Sequence, residues 1–451
     1  MISDSQKIKG LPGSVKDQLI CDIVDAVSWK EDGTPTLKWG TDEKGVSHGG
    51  LMAYSKNLWL LYSMDDFVAS KLNRLRFSLS KGDIFGAECL GVFAKLKTEN
   101  RKSFSDFEEE FNAKVEQHIK NLPITKFTVA FALNFDIKEK LNFKIDVHRF
   151  RIIPYDDFKQ EFIDFETEIQ KAADKLAKHS MKEWKELSEG FSFFVIDVFS
   201  RNHLFAQSCA SKILQCLLGL LVFSKKIASG DRYTVPVRPQ SKLILSTFFT
   251  FEGGKRLGPQ SYLKERPSHE KIDEYDLLNL GVSLDLFNEI RYKAMKDMIF
   301  DALITYYWAS VDEDVEDSAF KYWICIEQLL LQSRHTAGAE LVERIKSLPV
   351  WGENRYLEFE IENLYEKRNR YAHEYGAGFH QIERNLAKAI ADELIRLLLS
   401  ENQSFFKKRD LLKFYELIQK DSDGLENKLR DDRQALDDNQ RIAHLILRLR
   451  E

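Results

Sequence analysis

Two hydrophobic patterns divide the chain near residue 155. Before this point, short apolar segments alternate with Gly, Asp, Asn and Lys, which is typical of strands and turns. The predicted strands are Leu19–Val27, Gly50–Tyr54, Asn57–Tyr62, Arg76–Leu79, Gly91–Leu96, Lys126–Phe135 and Phe143–Ile153. One helix, Ser105–Asn121, is predicted among them because apolar residues recur at every fourth position from Phe107 to Ile119. We therefore expect residues 1–155 to form a β-rich or mixed N-terminal domain with a role in recognition.

A connecting helix and a small α/β unit are predicted over residues 156–275. Helical spacing of apolar positions predicts an amphipathic helix over Tyr155–Leu187. A buried helix, Leu204–Lys226, then lies between two predicted strands, Phe193–Phe199 and Lys242–Phe251. The loop Pro259–Pro267 is locally basic, so it marks a domain boundary and is a candidate RNA contact.

From residue 276 onwards the apolar positions follow the period of helices. The predicted helices are Asp285–Ser310, Phe320–Leu330, Leu341–Leu348, Leu357–Tyr371 and Ile382–Leu399, followed by Phe405–Ile418 and Asn427–Leu449. We expect an all-α bundle over residues 276–405 and a helical extension over 406–451. The fold class predicted for the whole chain is therefore α+β.

Bulk composition excludes several classes of protein. A length of 451 residues predicts two or three domains, and 43% apolar with 30% charged residues is ordinary for a soluble globular chain. The net charge of −5 argues against a general nucleic-acid coat, so any RNA contact must be local. Five scattered cysteines without a CxxC pair argue against a disulfide framework or a zinc site. The first residues lack the apolar core of a signal peptide, and the longest apolar run, Ile213–Phe223, is too short to cross a bilayer. We expect a cytoplasmic protein without a membrane contact.

The stretch from Tyr365 to Tyr375 carries the chemistry. Arg368 lies on the predicted helix, and His373 lies five residues later, well off the face of Arg368 on an ideal helix. Gly376 and Gly378 end the pattern, so we expect the last turn to loosen and let the two side chains converge. The negative end of the helix dipole favours the protonated form of a histidine placed there.

This stretch resembles a known family. Residues 368–373 match the R-N-x-x-x-H signature of HEPN domains, which are α-helical bundles found in many prokaryotic ribonucleases. With Tyr375 they also match R-x-x-x-x-H-x-Y, the form in HEPN toxins paired with nucleotidyltransferase antitoxins. The W-x-x-x-E-x-L-L pattern from Trp323 to Leu330 is similar to the second helix of the ApeA-like HEPN group. The resemblance covers residues 285–400 and leaves the N-terminal two-thirds of the chain unexplained.

The resemblance implies a metal-independent endoribonuclease. The 2′-hydroxyl of single-stranded RNA would attack the adjacent phosphate, so DNA would be spared. His373 would act as general acid or base, Arg368 would stabilise the developing charge, and Asn369 would orient the phosphate. The family also implies a homodimer that brings two motifs into one cleft, and a setting in bacterial defence against phage, with a phage-derived trigger or a regulator from a neighbouring gene. The sequence contains no P-loop, zincin, nucleophile-elbow or Rossmann pattern, so no cofactor or metal is expected.

Several alternatives stay open at this stage. If the motif is purely structural, Arg368 would pair with an acidic residue and His373 would only cap a helix. Glu327 either fixes Arg368 in an ion pair or takes part in catalysis. Tyr375 either accepts a nucleotide from a partner enzyme, or packs within the protein or stacks on RNA. As a second function, the helical bundle only dimerises or holds a nucleotide, and the N-terminal domain carries a recognition function.

Overall fold

The computed structural model of the chain describes residues 12–37, 40–41, 47–48, 68, 71–78, 87–115, 119–162, 191–229, 243–257, 272–330, 338–348, 355–374, 378–405, 408–417, 442, 444–446 and 448–449. Within them the protein is α+β, as predicted. The chain divides into two compact units, residues 1–129, 197–210 and 249–258 in the first and residues 130–196, 211–248 and 259–451 in the second. The predicted domain boundaries near residues 155, 275 and 405 stay predictions.

A six-stranded sheet is built from the middle of the chain, in the strand order β10-β9-β5-β8-β7-β6. Its strands are β5 (Thr125–Leu133), β6 (Leu141–Ile145), β7 (His148–Pro154), β8 (Ser192–Ser200), β9 (Ile244–Glu252) and β10 (Lys255–Arg256). The antiparallel registers pair Ile145 with His148 and Phe150 with Ile196. Two small antiparallel pairs precede the sheet, β1 (Val27–Trp29) with β2 (Pro35–Leu37) and β3 (Gly40–Thr41) with β4 (Ser47–His48). The strands predicted over Lys126–Phe135, Phe193–Phe199 and Lys242–Phe251 are confirmed.

The strand predicted over Phe143–Ile153 is a hairpin of two strands. The chain turns at Asp146, which has a φ of 54° in the left-handed region that Asp tolerates better than most residues. The backbone N–H of Asp146 donates to Asn288 Oδ1 at 3.0 Å, and Asn288 Nδ2 donates to the carbonyl of Lys144 at 2.8 Å. The turn contains no glycine or proline, which is why the sequence pattern did not reveal it.

Two predicted N-terminal strands are wrong, because they are helices. Leu19–Val27 lies mainly in α1 (Gly13–Ala26), and Gly91–Leu96 lies in α2 (Ala87–Thr98), which α3 (Phe104–Lys114) follows. In α1 the buried residues recur as pairs four positions apart, which is a helical face: Leu19, Ile20, Ile23 and Val24. The β-branched residue types suggested a strand, and packing in the core overrode that propensity.

Other N-terminal predictions have mixed outcomes. The helix predicted over Ser105–Asn121 is confirmed as far as Lys114, where α3 ends. It begins with a capping box in which Ser103 and Asp106 satisfy each other's backbone N–H. The described part of Arg76–Leu79 is a turn in which Arg76 has a φ of 55°. The strands predicted over Gly50–Tyr54 and Asn57–Tyr62 lie outside the described residues. The described N-terminal part is therefore mixed rather than β-rich.

Two helices accompany the sheet, α4 (Tyr155–Glu161) and α5 (His203–Ser229). The predicted helix Tyr155–Leu187 begins as α4, and its remainder from residue 163 lies outside the described residues. The segment His203–Lys225 of α5 is long and apolar enough to cross a membrane by composition. Most of its leucines are buried inside the protein, however, with Leu214, Leu218 and Leu220 at 0% exposure, so α5 packs as a core helix.

The second unit contains the helical bundle. Its helices are α6 (Glu274–Glu289), α7 (Lys293–Val311), α8 (Val315–Leu329), α9 (Gly338–Lys346), α10 (Arg355–Glu374), α11 (Gln381–Ser400) and α12 (Lys408–Leu417), with a 3₁₀ turn at Asn402–Ser404. The fully buried side chains Tyr306, Trp323, Ile326, Ile390 and Leu394 form part of the core between α7, α8 and α11. The all-α character predicted for this region is confirmed for its described residues.

The helix predicted over Asp285–Ser310 is interrupted. The backbone of Ile290 is extended, with ψ at 111°, so α6 ends at Glu289 and α7 begins at Lys293. Ile290 is buried and stays in register with the apolar pattern on both sides, so periodicity alone ran through the break. The final helix predicted over Asn427–Leu449 lies largely outside the described residues.

A close approach between α5 and α7 depends on glycine. A Cβ at Gly219 would lie 2.3 Å from the backbone oxygen of Leu303. Backbone cannot yield as a flexible side chain does, so only glycine fits the observed separation of the two helices.

Candidate functional site

The motif lies on one continuous helix. Helix α10 continues through His373 to Glu374, so the loosening expected before His373 does not occur. Five helical residues amount to a rotation of about 500°, which places positions 368 and 373 about 140° apart around the axis. Asn369 and Arg370, four and three residues before His373, lie on the same side of the helix as His373. The side chain of His373 and all of Tyr375 lie outside the described residues, so the expected convergence and the role of Tyr375 stay predictions.

The structure brings Arg368 together with Glu327 of α8. Arg368 Nη2 lies 2.6 Å from Glu327 Oε1, and Trp323 Nε1 donates to the same oxygen at 2.8 Å. Trp323 is fully buried, and its ring centroid lies 5.9 Å from that of Tyr365 on α10. The Trp and Glu of the W-x-x-x-E pattern therefore form one hydrogen-bonded unit with the motif arginine.

Asn369 completes the surroundings of Arg368. Arg368 Nη1 donates to Asn369 Oδ1 at 3.1 Å. Arg368 Nε is buried and has no hydrogen-bond partner among the described residues. The side chain of Arg368 is 21% exposed and that of Glu327 is 15% exposed, so the pair is largely shielded from solvent.

Burial governs the electrostatics of this pair. It raises the pKa of the Glu327 carboxyl, while the charge of Arg368 and the hydrogen bond from Trp323 act in the opposite direction. The net upward direction means that desolvation outweighs the attraction. The ionised pair carries no net charge, so it adds little long-range attraction for an anionic ligand.

The C-terminal end of α10 is attached to the start of α8. Tyr371 packs against Phe320 and Phe379, with ring centroids 5.0 and 5.8 Å away, and its hydroxyl donates to Asp317. This hydrogen bond raises the pKa of Tyr371. Beyond the helix, Gly378 adopts a φ of 66°, and its backbone N–H donates to Glu316 Oε1 at 3.0 Å.

Sequence reasoning missed this attachment. The signal in the sequence is the acidic run Asp312–Asp317, which leads into α8. Asp314 caps α8 by accepting from the backbone N–H groups of Glu316 and Asp317. The side chain of Asp317 then accepts from Tyr371 of α10, and that of Glu316 accepts from Gly378 just beyond α10, so the acidic run attaches the motif helix to α8.

A buried polar cluster between α7, α8 and α11 was also missed. Lys388 is 2% exposed and donates to Asp392 at 2.6 Å, while the hydroxyl of Tyr306 donates to the same carboxylate. Burial lowers the pKa of Lys388 and raises that of Tyr306. Arg384, 1% exposed, lies one turn before Lys388. The signal in the sequence is a charged residue at every fourth position, Arg384, Lys388 and Asp392, which places all three on one side of the helix.

Most carboxylates of α10 face solvent. Glu358, Glu362 and Glu366 are exposed, while Glu360 is half-buried. Glu362 pairs with Lys346 of α9 at 2.5 Å. Among the described residues, no cluster of three or more His, Cys, Asp or Glu side chains is placed to hold a metal ion.

Comparisons with known proteins found no match to this chain. The HEPN resemblance consequently rests on the motif, on the W-x-x-x-E pattern and on their setting in a helical bundle. No family model matches the chain, and no curated protein or solved structure matches it.

Proposed function

We propose that the protein is a metal-independent HEPN endoribonuclease that cleaves single-stranded RNA. The observation that carries this proposal is the contact at 2.6 Å between Arg368 of the R-N-x-x-x-H motif and Glu327 of the W-x-x-x-E pattern. The two sequence patterns lie 41 positions apart in the chain, from Glu327 to Arg368, and meet in one bundle. Chance occurrence of either pattern would not by itself bring them into contact.

The proposed reaction is an intramolecular transesterification at one phosphate of the RNA. The 2′-hydroxyl loses its proton to a base and attacks the adjacent phosphorus, and the bond to the 5′-oxygen breaks as that oxygen gains a proton. The products are a 2′,3′-cyclic phosphate and a 5′-hydroxyl. His373 serves as one proton-transfer group, and a second copy of the motif in a homodimer supplies the other. Asn369 orients the phosphate, and the charge of Arg368 stabilises the transition state.

A second candidate is a non-catalytic HEPN module that dimerises or holds a nucleotide, with the N-terminal domain carrying recognition. The observation that favours it is the same ion pair, because Glu327 of its own chain neutralises Arg368. In this reading Arg368 and Glu327 stabilise the packing of α8 on α10. The two candidates differ in whether RNA is cut.

The proposed setting is bacterial defence against phage through growth arrest. The N-terminal region would sense a phage-derived trigger or respond to a regulator from a neighbouring gene. The proposed location is the cytoplasm. Tyr375 is proposed to contact RNA rather than to accept a nucleotide, because HEPN toxins that are modified in this way are much smaller than a chain of 451 residues.

The test compares RNA integrity in cells that express the wild type, His373→Ala, Arg368→Gln and the paired variant Glu327→Gln/Arg368→Gln. The paired variant removes both charges, so it separates loss of catalysis from the damage of leaving Glu327 unpaired. We expect RNA cleavage with cyclic-phosphate ends only when Arg368 and His373 are both present. Cleavage by the purified wild type should be unaffected by EDTA. Cleavage by the folded paired variant would exclude a catalytic role for Arg368. Intact RNA with the wild type, with and without phage infection, would favour the non-catalytic module.

A further inference from the structure

We propose that Arg370, together with the amide of Asn369, binds the substrate phosphate in the ground state, and that Arg368 orients Asn369 in addition to its proposed role in the transition state. This assignment rests on the proposed function in taking RNA as the ligand. It differs from the family motif, in which position 370 is unspecified. Three observations carry it: the commitment of the neighbouring cations, the exposure of Arg370, and the side of the helix that it shares with His373.

Two of the three cations between residues 365 and 375 are already engaged. Lys367 pairs with Glu383, which is 8% exposed, and also donates to the carbonyl of Gly378 at 3.4 Å. Arg368 pairs with Glu327. A phosphate that bound either cation directly would have to compete with a carboxylate that is largely buried, and the displaced carboxylate would lose its partner.

Arg370 is uncommitted. Its side chain is exposed, and it makes no hydrogen bond or ion pair within the described part of the chain. An arginine offers a planar fork of N–H donors that matches phosphate oxygens, and here that fork is available without breaking another contact. Arg370 therefore contributes a net positive charge that the Arg368–Glu327 pair does not.

Asn369 supplies a second donor beside it. A guanidinium N–H can only donate, so the Asn369 atom that faces Arg368 at 3.1 Å is the carbonyl oxygen. The NH₂ group of Asn369 is then the part that remains to donate to a ligand. Arg368 fixes this orientation, which is the positioning role. Because Asn369 and Arg370 share a side of α10 with His373, a phosphate bound there lies on the side of the proposed proton-transfer residue.

Glu366 opposes this site and gives it a second test. It is exposed and lies one turn before Arg370, yet the two form no ion pair within the described structure. Its negative charge should weaken phosphate binding without abolishing it. Neutralising Glu366 should therefore strengthen RNA binding, whereas neutralising Arg370 should weaken it.

The experiment measures binding of a fluorescent single-stranded 2′-O-methyl RNA of mixed sequence to the full chain by anisotropy, over a range of salt concentrations. This probe lacks the nucleophile, so binding is read apart from cleavage. Arg291→Gln is the matched control, since Arg291 is also exposed and unpaired among the described residues but lies between α6 and α7. The variants are Arg370→Gln, Arg370→Lys and Glu366→Gln, each checked for folding by circular dichroism.

We expect Arg370→Gln to weaken binding about fivefold at 0.1 M salt and to lower the slope of log K against log salt by about 0.7, the contribution of one single-strand phosphate contact. Arg370→Lys should keep the slope, Glu366→Gln should tighten binding about two- to threefold, and Arg291→Gln should match the wild type. Equal behaviour of Arg370→Gln and Arg291→Gln, or no binding by the wild type, would overturn the assignment.

Cleavage assays separate this outcome from that of the proposed function. If His373→Ala abolishes cleavage while Arg370→Gln keeps wild-type KM and binding, the ribonuclease stands and the phosphate site is wrong. If Arg370 is required for binding but no variant or wild type cuts RNA, the phosphate site stands and the ribonuclease is wrong. A rise in KM with unchanged kcat in Arg370→Gln would support ground-state phosphate binding.

Discussion

Glu327 and Arg368 allow a quantitative test of how the motif is held. Removing one partner of a fully buried ion pair costs about 3–5 kcal/mol of unfolding free energy. Here the side chains retain 15% and 21% exposure, so we expect a smaller cost than for a fully buried pair, about 2–4 kcal/mol, for Arg368→Gln. Glu327→Gln should cost at most about 1 kcal/mol, because the amide oxygen still accepts from Trp323 and Arg368.

The double variant measures the coupling between the two residues. Glu327→Gln/Arg368→Gln leaves no buried charge, so it should be more stable than Arg368→Gln alone by about 1–3 kcal/mol. Urea unfolding followed by far-UV circular dichroism gives these differences, provided that the slopes of the four proteins agree. Additive effects within about 0.5 kcal/mol would refute the claim that the pair is coupled.

The pH dependence of the same series has a definite sign. Burial raises the pKa of Glu327 in the folded state above its unfolded value of about 4.3. The folded state then binds the proton more tightly, so stability is lost as the pH rises from that value through the raised pKa. Glu327→Gln should therefore gain stability relative to the wild type over this interval, and Arg368→Gln should lose more. The opposite trend would mean that attraction to Arg368 outweighs burial.

Substitutions at three further positions test other helix contacts. Gly219→Ala should destabilise by about 1–3 kcal/mol, despite the helix propensity of alanine, because its Cβ would meet the backbone oxygen of Leu303; a gain in thermal midpoint would contradict the close approach. Asp314→Ala should cost about 1 kcal/mol in urea unfolding through loss of the α8 cap, whereas Asp314→Asn should be nearly neutral. Tyr371→Phe should cost about 1 kcal/mol because it loses the hydrogen bond to Asp317, and amide exchange should quicken at the end of α10; unchanged exchange would argue that ring packing alone holds this end.

Periodicity predicted the bundle better than it predicted the N-terminal region. Helices such as α8 and α11 carry long apolar stripes, which few other structures can accommodate. Helix α1 also carries an apolar stripe, but its isoleucines and valines favour strands by residue type, so the sequence predicts a strand there. The break after Glu289 was invisible because Ile290 keeps the apolar register through it.

Only the part of the candidate site that is formed by residues close together in the sequence could be predicted. The motif itself is local, and the approach of Glu327 to Arg368 was anticipated from the resemblance. The attachment of Tyr371 to Asp317 and the burial of Lys388 depend on which helices pack together, which one-dimensional spacing does not specify. The exposure of Arg370 likewise follows from the orientation of α10 and not from its sequence.

Because α10 is unbroken, the number of residues between Arg368 and His373 fixes both their separation along the helix and their rotation around it. From Arg368 to His373 the backbone advances about 7.5 Å at a constant rise per residue. A single residue inserted between Arg368 and Tyr371 would rotate the remaining residues of α10 by about 100° around the helix axis. Tyr371 would then lose its place between Phe320 and Phe379. A change of side chain, in contrast, leaves this register intact. An inserted residue would therefore disturb packing and chemistry together, whereas a substitution in α10 tests one side chain at a time.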